Sequence, residues 1–398
     1  MTSTSYVDNE DNPFVDQMEL NDDCMPAVHP RWYRRGPRRL WGGCLSSIGR
    51  ERRRTCRWMM IAVAVLTLVG IIAAIVYVSL VGALIRRLAP PPGHSGLQNI
   101  VEHWKEPDRD GAYKFEWRDD FSRDIVPKNC HSHNDYWRHV PLYDALAAGC
   151  IGIEADVWLT EDNELLVSHS WRSITQYRTL QSLYLDPLTN ILDKRNVTVA
   201  SENNKEVGVF DANPTSSVVL LVDFKSDGHQ TWPILLEQLQ RIRDRDWLTY
   251  YDGSALHQGP LTIVGTGNTP FDLVQQNDTN RLVFFDAPLL SISDEQYNST
   301  NSYYASVEMS KAVGRLWLNH LAAKQVDELA EQMHAADVKG LKSRYWGELQ
   351  WPISLRDEVW FKLTELGVGI LNADDLTSAT RWNWNWCIVA GLALCGNS

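Results

Sequence analysis

The sequence predicts an α/β fold, a TIM-barrel-like (β/α)8 domain preceded by one transmembrane helix. Three observations carry that prediction. Trp58 to Ile85 is a run of 28 residues without a charge. Beyond it, short β-branched runs alternate with stretches of helical periodicity, the pattern of βαβ units and a parallel sheet. Eight such runs fit within about 270 residues, the size of a (β/α)8 barrel. No dinucleotide-binding turn competes: Gly265-Thr-Gly267 lacks a third glycine and a following helix, so it reads as a plain loop.

The whole chain of 398 residues carries 38 Lys and Arg against 50 Asp and Glu, a net charge of −12. With 44% hydrophobic and 22% charged residues, it is neither disordered throughout nor a polytopic membrane protein. An acidic balance also argues against a nucleic-acid partner, since phosphate contacts need clustered Lys and Arg. The charge is partitioned. Residues 1–30 hold seven acids and no Lys or Arg, and residues 31–57 hold ten arginines against Glu51 alone. The segment through Arg87 nets +4 and the remaining 311 residues net −16.

Taken in order, residues 1–57 are expected to form a largely disordered cytoplasmic tail, acidic and then Arg-rich. Residues 58–85 are long enough to cross about 30 Å of hydrocarbon at ~1.5 Å per residue. Ten arginines before the span and two after it place the N-terminus in the cytoplasm and the bulk of the chain in a lumen or outside the cell. The span's length favours a late secretory membrane. A mitochondrial membrane is the alternative, but presequences are poor in acids and this N-terminus begins with seven. Asn196, Asn277 and Asn298 begin glycosylation triplets, all beyond the span. Residues 86–124 read as a spacer and lead-in, with Pro90-Pro91-Pro92 as its stiff part.

The barrel is expected over 125–376, and a Trp-rich apolar tail over 377–398. Candidate strands are 125–130, 151–157, 165–168, 218–224, 261–264, 282–285, 340–345 and 368–371. Helical periodicity falls at 141–148, 232–243, 323–336 and 354–366. Cys130 then ends the first strand and Cys150 begins the second, at opposite barrel rims, too far apart to bond. Cys387 and Cys395 are the pair free to do so.

Polar residues gather where these strands end. In Ile153-Glu154-Ala155-Asp156-Val157, alternation puts Glu154 and Asp156 on one face. Two carboxylates on an apolar strand need a neutraliser, and either a hard divalent cation or a Lys/Arg partner meets that need. The fourth strand ends Asp223-Phe-Lys225, the first runs into His131-Ser-His133-Asn134-Asp-Tyr136-Trp137-Arg138, and the third ends at His169. Four successive strand ends bearing such groups point to an active site.

His131, the run Gly149-Cys-Ile-Gly-Ile-Glu154-Ala-Asp156-Val and Leu166-Val-Ser-His169 resemble the phospholipase C-like phosphodiesterase superfamily. A closer resemblance is to the fungal family named altered inheritance of mitochondria protein 6. It is carried by His131–Arg138, Leu183-Tyr-Leu-Asp-Pro-Leu188 and Leu371-Asn-Ala-Asp-Asp-Leu376. The resemblance implies a phosphoric diester hydrolase in which Glu154, Asp156 and Asp223 hold one Mg2+ or Ca2+. His131, with His133 next in line, would act as base and His169 as acid. Ser132 departs from the glycerophosphodiesterase pattern, which has Arg there. Phosphate contact would pass to Lys225 or Arg138, with Asn134 and Trp346 completing the substrate site; Lys342 and Arg344 share Trp346's face. A barrel tethered at a membrane suits a phospholipid or glycerophosphodiester-like substrate, and Tyr136, Trp137 and Trp346 could form an aromatic edge against it. His131-x-His133 also fits an amidohydrolase-like metal hydrolase, which would need further histidines on later strands. The third reading is a catalytically inactive, membrane-anchored binding domain.

Overall fold

The computed structural model describes residues 45–88, 95–195, 208–314, 316, 321–381, 388–389 and 392–393. The expectations for the tail before residue 45, the triple-proline spacer, Asn196 and the Cys387–Cys395 pair lie outside the described residues. The chain divides into two units, 1–84 and 85–398.

One helix runs Leu45–Leu88, all but its last turn in the first unit. It contains no proline to break it, and an 18-residue window within Arg52–Ala83 reaches a mean hydropathy of 2.9 with none of that window buried. By length and composition this helix is able to cross a membrane.

The second unit is a barrel. Its strands are β1 Lys128–Ser132, β2 Cys150–Leu159, β3 Leu165–Val167 and β4 Val218–Phe224, then β5 Tyr250–Tyr251, β6 Leu256–His257 and β7 Leu261–Gly267. Four more follow, β8 Val283–Pro288, β9 Ser302–Glu308, β10 Lys342–Trp346 and β11 Ile370–Ala373, and β12 Ile388–Val389 pairs with β13 Leu392–Ala393 in a separate two-stranded sheet. The sheet order is β1-β11-β10-β9-β8-β7-β4-β2-β3, and a parallel β1–β2 pairing closes it. Eight parallel strands thus form a ring, while β5 and β6 make a separate small hairpin. The near-continuous apolar run Val218–Val222 is fully buried, as expected for a strand covered on both faces. Helices outside the ring bury apolar residues at helical spacing: Leu235, Leu239 and Ile242 from Gly228–Arg243, and Leu355, Val359 and Leu363 from Ile353–Glu365. Each such side chain contributes roughly 1.5–3 kcal/mol. The lead-in also joins this core. Ser95 caps the helix Gly96–His103 in a capping box, and Leu97, Ile100 and Phe121 are almost completely buried.

Three expectations need correction. The segment at 165–168 is not a ring strand: β3 pairs antiparallel with β2, Val157 opposite Val167. Only residues 160–164 separate the two, far short of the dozen or so that a parallel crossover requires. The missing ring member is β9, whose sequence Ser-Tyr-Tyr-Ala-Ser-Val-Glu mixes polar and apolar residues with only one β-branched residue among them. The third correction is a disulfide between Cys130 and Cys150, with Cα atoms 4.9 Å apart. β1 begins at Lys128 rather than Ile125, so Cys130 sits within the strand. Lys128 pairs with Cys150, and an irregularity before His131 brings Cys130 across to it.

Candidate metal and catalytic site

The site lies at the C-terminal rim of the ring, where β2 and β4 run side by side with Asp156 level with Asp223. Glu154, Asp156 and Asp223 each direct an oxygen to one place, with the three oxygens within 4.8 Å of one another. β3 returns along β2, Ser168 donating its N–H to the Asp156 carbonyl, and this delivers His169 to the same rim. Its Nδ1 lies 3.5 Å from Asp156 Oδ2 and 3.2 Å from the Tyr136 hydroxyl. His131 enters from β1 with Nε2 3.4 Å from Glu154 Oε2, and its ring is fully buried. A Cβ on Gly152 would come within 2.5 Å of His131 Nδ1, so glycine is needed there for the ring to lie against β2.

Two cations are built into the cluster. Lys225 Nζ stands 2.7 Å from Asp223 Oδ2 and 2.9 Å from Asp156 Oδ2. From the far side of the ring, Arg344 on β10 donates to Glu154 Oε2 at 3.0 Å and to Asn372 Oδ1 at 3.0 Å. Asp286, at the end of β8, lies 3.9 Å from the same guanidinium.

Charge placement sets the protonation states. Burial works to raise Glu154, but Arg344 and then His131 outweigh it and hold this carboxyl well below the usual range. Asp156 is pushed up to about 7, first by burial and then by the neighbouring Glu154 charge. His131 is pushed down to about 4 by burial, reinforced by Arg344, so its imidazole is neutral near pH 7. The Tyr136 phenol is driven up by burial and by Asp156, which accepts its proton in a 2.8 Å hydrogen bond.

A hard divalent cation fits this donor set. All three ligands are carboxylates, and Asp156 Oδ1 and Asp223 Oδ1 are buried without a hydrogen-bond partner. Gly267, at φ +65°, is held close above: a Cβ there would overlap Asp223 Oδ1. Four carboxylates, counting Asp286, face Lys225 and Arg344. Fully ionised, they leave two negative charges, which one divalent ion cancels.

The other predicted residues divide. Asn134, in the left-handed region at φ 48°, places Oδ1 2.6 Å from the Tyr136 hydroxyl, where it shares that proton with Asp156, and so backs the site. His133 turns away to Asp374, with Nδ1 2.7 Å from Oδ1. Arg138 is spent on structure, its Nε on Ser132 Oγ and its terminal nitrogens on the Asp374 and Ala373 carbonyls. Trp346 is half-buried at the rim, with Lys311 Nζ 6.0 Å from its ring. Lys342 reaches the Tyr303 hydroxyl, leaving Arg344 as the residue of that face that enters the cluster. Asp286 and Tyr136 are the members that sequence reasoning missed in these roles. Val283-Phe-Phe-Asp286 repeats the pattern of an apolar strand ending in an acid that had singled out Asp223.

The eight-stranded parallel barrel carries an acidic, histidine-flanked mouth, and residues 119–286 match the model of the AIM6-like phosphodiesterase domain. The chain belongs to the altered inheritance of mitochondria protein 6 family, as its resemblance implied. It is 39% identical to the altered inheritance of mitochondria protein 6 homolog of Arthroderma benhamiae, over 71% of this chain and 91% of that protein. The altered inheritance of mitochondria protein 6 of Lachancea thermotolerans is 35% identical over 65% of this chain and 66% of its own. Among solved structures, a glycerophosphodiester phosphodiesterase from Thermotoga maritima aligns over 64% of this chain and 96% of its own, at 17% identity and a TM-score of 0.32.

Proposed function

We propose that this protein is a membrane-anchored, metal-dependent phosphoric diester hydrolase acting on a phospholipid or glycerophosphodiester-like substrate. The observation that carries the reading is the convergence of Glu154, Asp156 and Asp223, two of them with unpartnered buried oxygens, between His131 and His169. One Mg2+ or Ca2+ bound by this triad would supply positive charge beside a phosphoryl oxygen. The remaining work falls to the side chains. Lys225 adds a fixed positive charge on the phosphate side of Asp156 and Asp223. His131, neutral near pH 7, takes a proton from the attacking water or substrate hydroxyl. His169 is half exposed with Nδ1 engaged by Tyr136 and Asp156, so proton delivery to the leaving oxygen falls to Nε2.

Residues 58–85 anchor the chain, with the barrel, over 125–376, on the lumenal or extracellular side. The arginine block supports this orientation. So does the Cys130–Cys150 bond, because disulfides persist in oxidising compartments. The amidohydrolase-like reading loses its main support, since His133 pairs with Asp374 rather than joining His131.

The test is a panel of glycerophosphodiesters, lysophospholipids and inositol phospholipids offered to the full chain in detergent, with and without chelator. Chelator-sensitive release of a phosphomonoester or cyclic phosphate is expected. Metal binding without turnover of any phosphodiester would instead make the protein a binding domain.

A further inference from the structure

Exposed tryptophan is costly on a soluble surface, and among the described residues of the barrel unit it falls in one place. Among the described residues there, Trp137, Trp171 and Trp351 are the exposed tryptophans, at 63%, 52% and 76%. Trp137 follows β1, Trp171 follows the β2–β3 hairpin, and Trp351 follows β10. The sheet order places β10, β11, β1 and β2 consecutively around the ring, so these loops form one arc of the rim that carries the carboxylate triad. Leu349 and Ile353 stand exposed on either side of Trp351. The other exposed large hydrophobics among the described barrel residues are Val126, Tyr177, Leu256, Leu290 and Val338; none is a tryptophan. The arc is also bordered by cationic or titratable groups: Arg172 and His139 are exposed beside Trp171 and Trp137.

We propose that this arc is a docking surface for a phospholipid bilayer, which seats the barrel mouth on the membrane and presents headgroups to the triad. Tryptophan prefers the boundary between headgroups and acyl chains, where its ring is buried and its N–H stays wet. Arg172 lies where lipid phosphates would be. The occupant is a bilayer rather than a second copy because the same chain carries a helix whose apolar window is unburied and long enough to span one. The inference rests on that anchored reading. It also revises the expected aromatic edge, since Tyr136 is buried in the site and Trp346 half-buried, leaving Trp137 as the shared member.

The test uses the full chain with a protease site placed within residues 89–94, reconstituted into phosphatidylcholine/phosphatidylserine vesicles. The vesicles are floated before and after cleavage. The wild-type barrel, once cut from its helix, is expected to remain with the vesicles. Trp171→Ser/Trp351→Ser is expected to shift it to the soluble fraction by roughly tenfold per tryptophan. Both substitutions are on exposed side chains, so the variant should melt with the wild type. Trp351→Lys alone gives the same readout if the double variant melts early. A wild-type barrel released on cleavage, or a variant barrel that stays bound, overturns the docking surface while leaving the anchor intact. A full chain that fails to float before cleavage overturns both.

Discussion

Opening the Cys130–Cys150 bond is the most informative perturbation of the barrel's stability. The two residues are 20 apart in sequence and completely buried, one immediately before His131 and the other at the start of the strand bearing Glu154. Closing a loop of that length removes unfolded-state entropy worth roughly 3 kcal/mol. For a domain of this size each kcal/mol moves the midpoint by roughly 2–4 °C, so the loss should be about 6–12 °C. The comparison is the full chain in detergent, refolded with or without a dithiol reductant, beside Cys130→Ala/Cys150→Ala. The midpoint is followed by tryptophan fluorescence, and the bond is mapped by mass spectrometry of non-reduced peptides. Reduced protein and variant should fall together. If the oxidised protein lacks a 130–150 peptide, or if the variant melts at the wild-type temperature, the reasoning about β1 and its bridge fails.

Other perturbations read the site and its surroundings. Burial pushes the Glu348 carboxyl up to about 8, with one oxygen accepting from Trp360 Nε1 and the other unpartnered. Its folded pKa exceeds its unfolded value, so the stability it permits is full below about 4.5 and is lost as pH rises through 8. Glu348→Gln should therefore stabilise the barrel at pH 8, by on the order of 3–4 kcal/mol, and change little at pH 4.5; denaturation midpoints at the two pH values check this. Gly267→Ala forces a Cβ onto Asp223 Oδ1 at a positive φ. It should lower stability by roughly 1–2 kcal/mol and weaken Mg2+ or Ca2+ binding in a calorimetric titration. Lys225→Met should cut phosphodiester turnover by about 10²–10³-fold while the cation-induced rise in melting temperature persists.

Much of the site was legible because strand alternation is a strict rule. Glu154 and Asp156, two apart on an apolar strand, had to share a face, and Asp223 and Lys225 likewise. What could not be read is which side chains arrive from the far side of the ring. Arg344 meets Glu154 across 190 residues of chain and Asp286 lies beside the same guanidinium, and no local pattern encodes that meeting. The same blindness let Arg138 and His133 stand as candidates, although the backbone at the end of β11 and Asp374 claim them. On the fold, the eight-strand expectation reached the right architecture with two compensating errors. It counted the antiparallel β3 as a ring strand and passed over β9, whose Ser302–Glu308 lacks the β-branched density that marks the other strands. The disulfide was misjudged because three residues of strand boundary decide whether Cys130 faces Cys150 or lies a barrel's height away.

The central claim is that the Glu154–Asp156–Asp223 triad holds a divalent cation on which phosphodiester hydrolysis depends. It is tested most directly by stripping the full chain with chelator and measuring turnover as Mg2+ or Ca2+ is returned to the wild type and to Glu154→Gln. The account predicts saturable recovery with one ion per chain in the wild type and none in the variant. Turnover that survives chelation, or a Glu154→Gln protein that recovers as the wild type does, would contradict it.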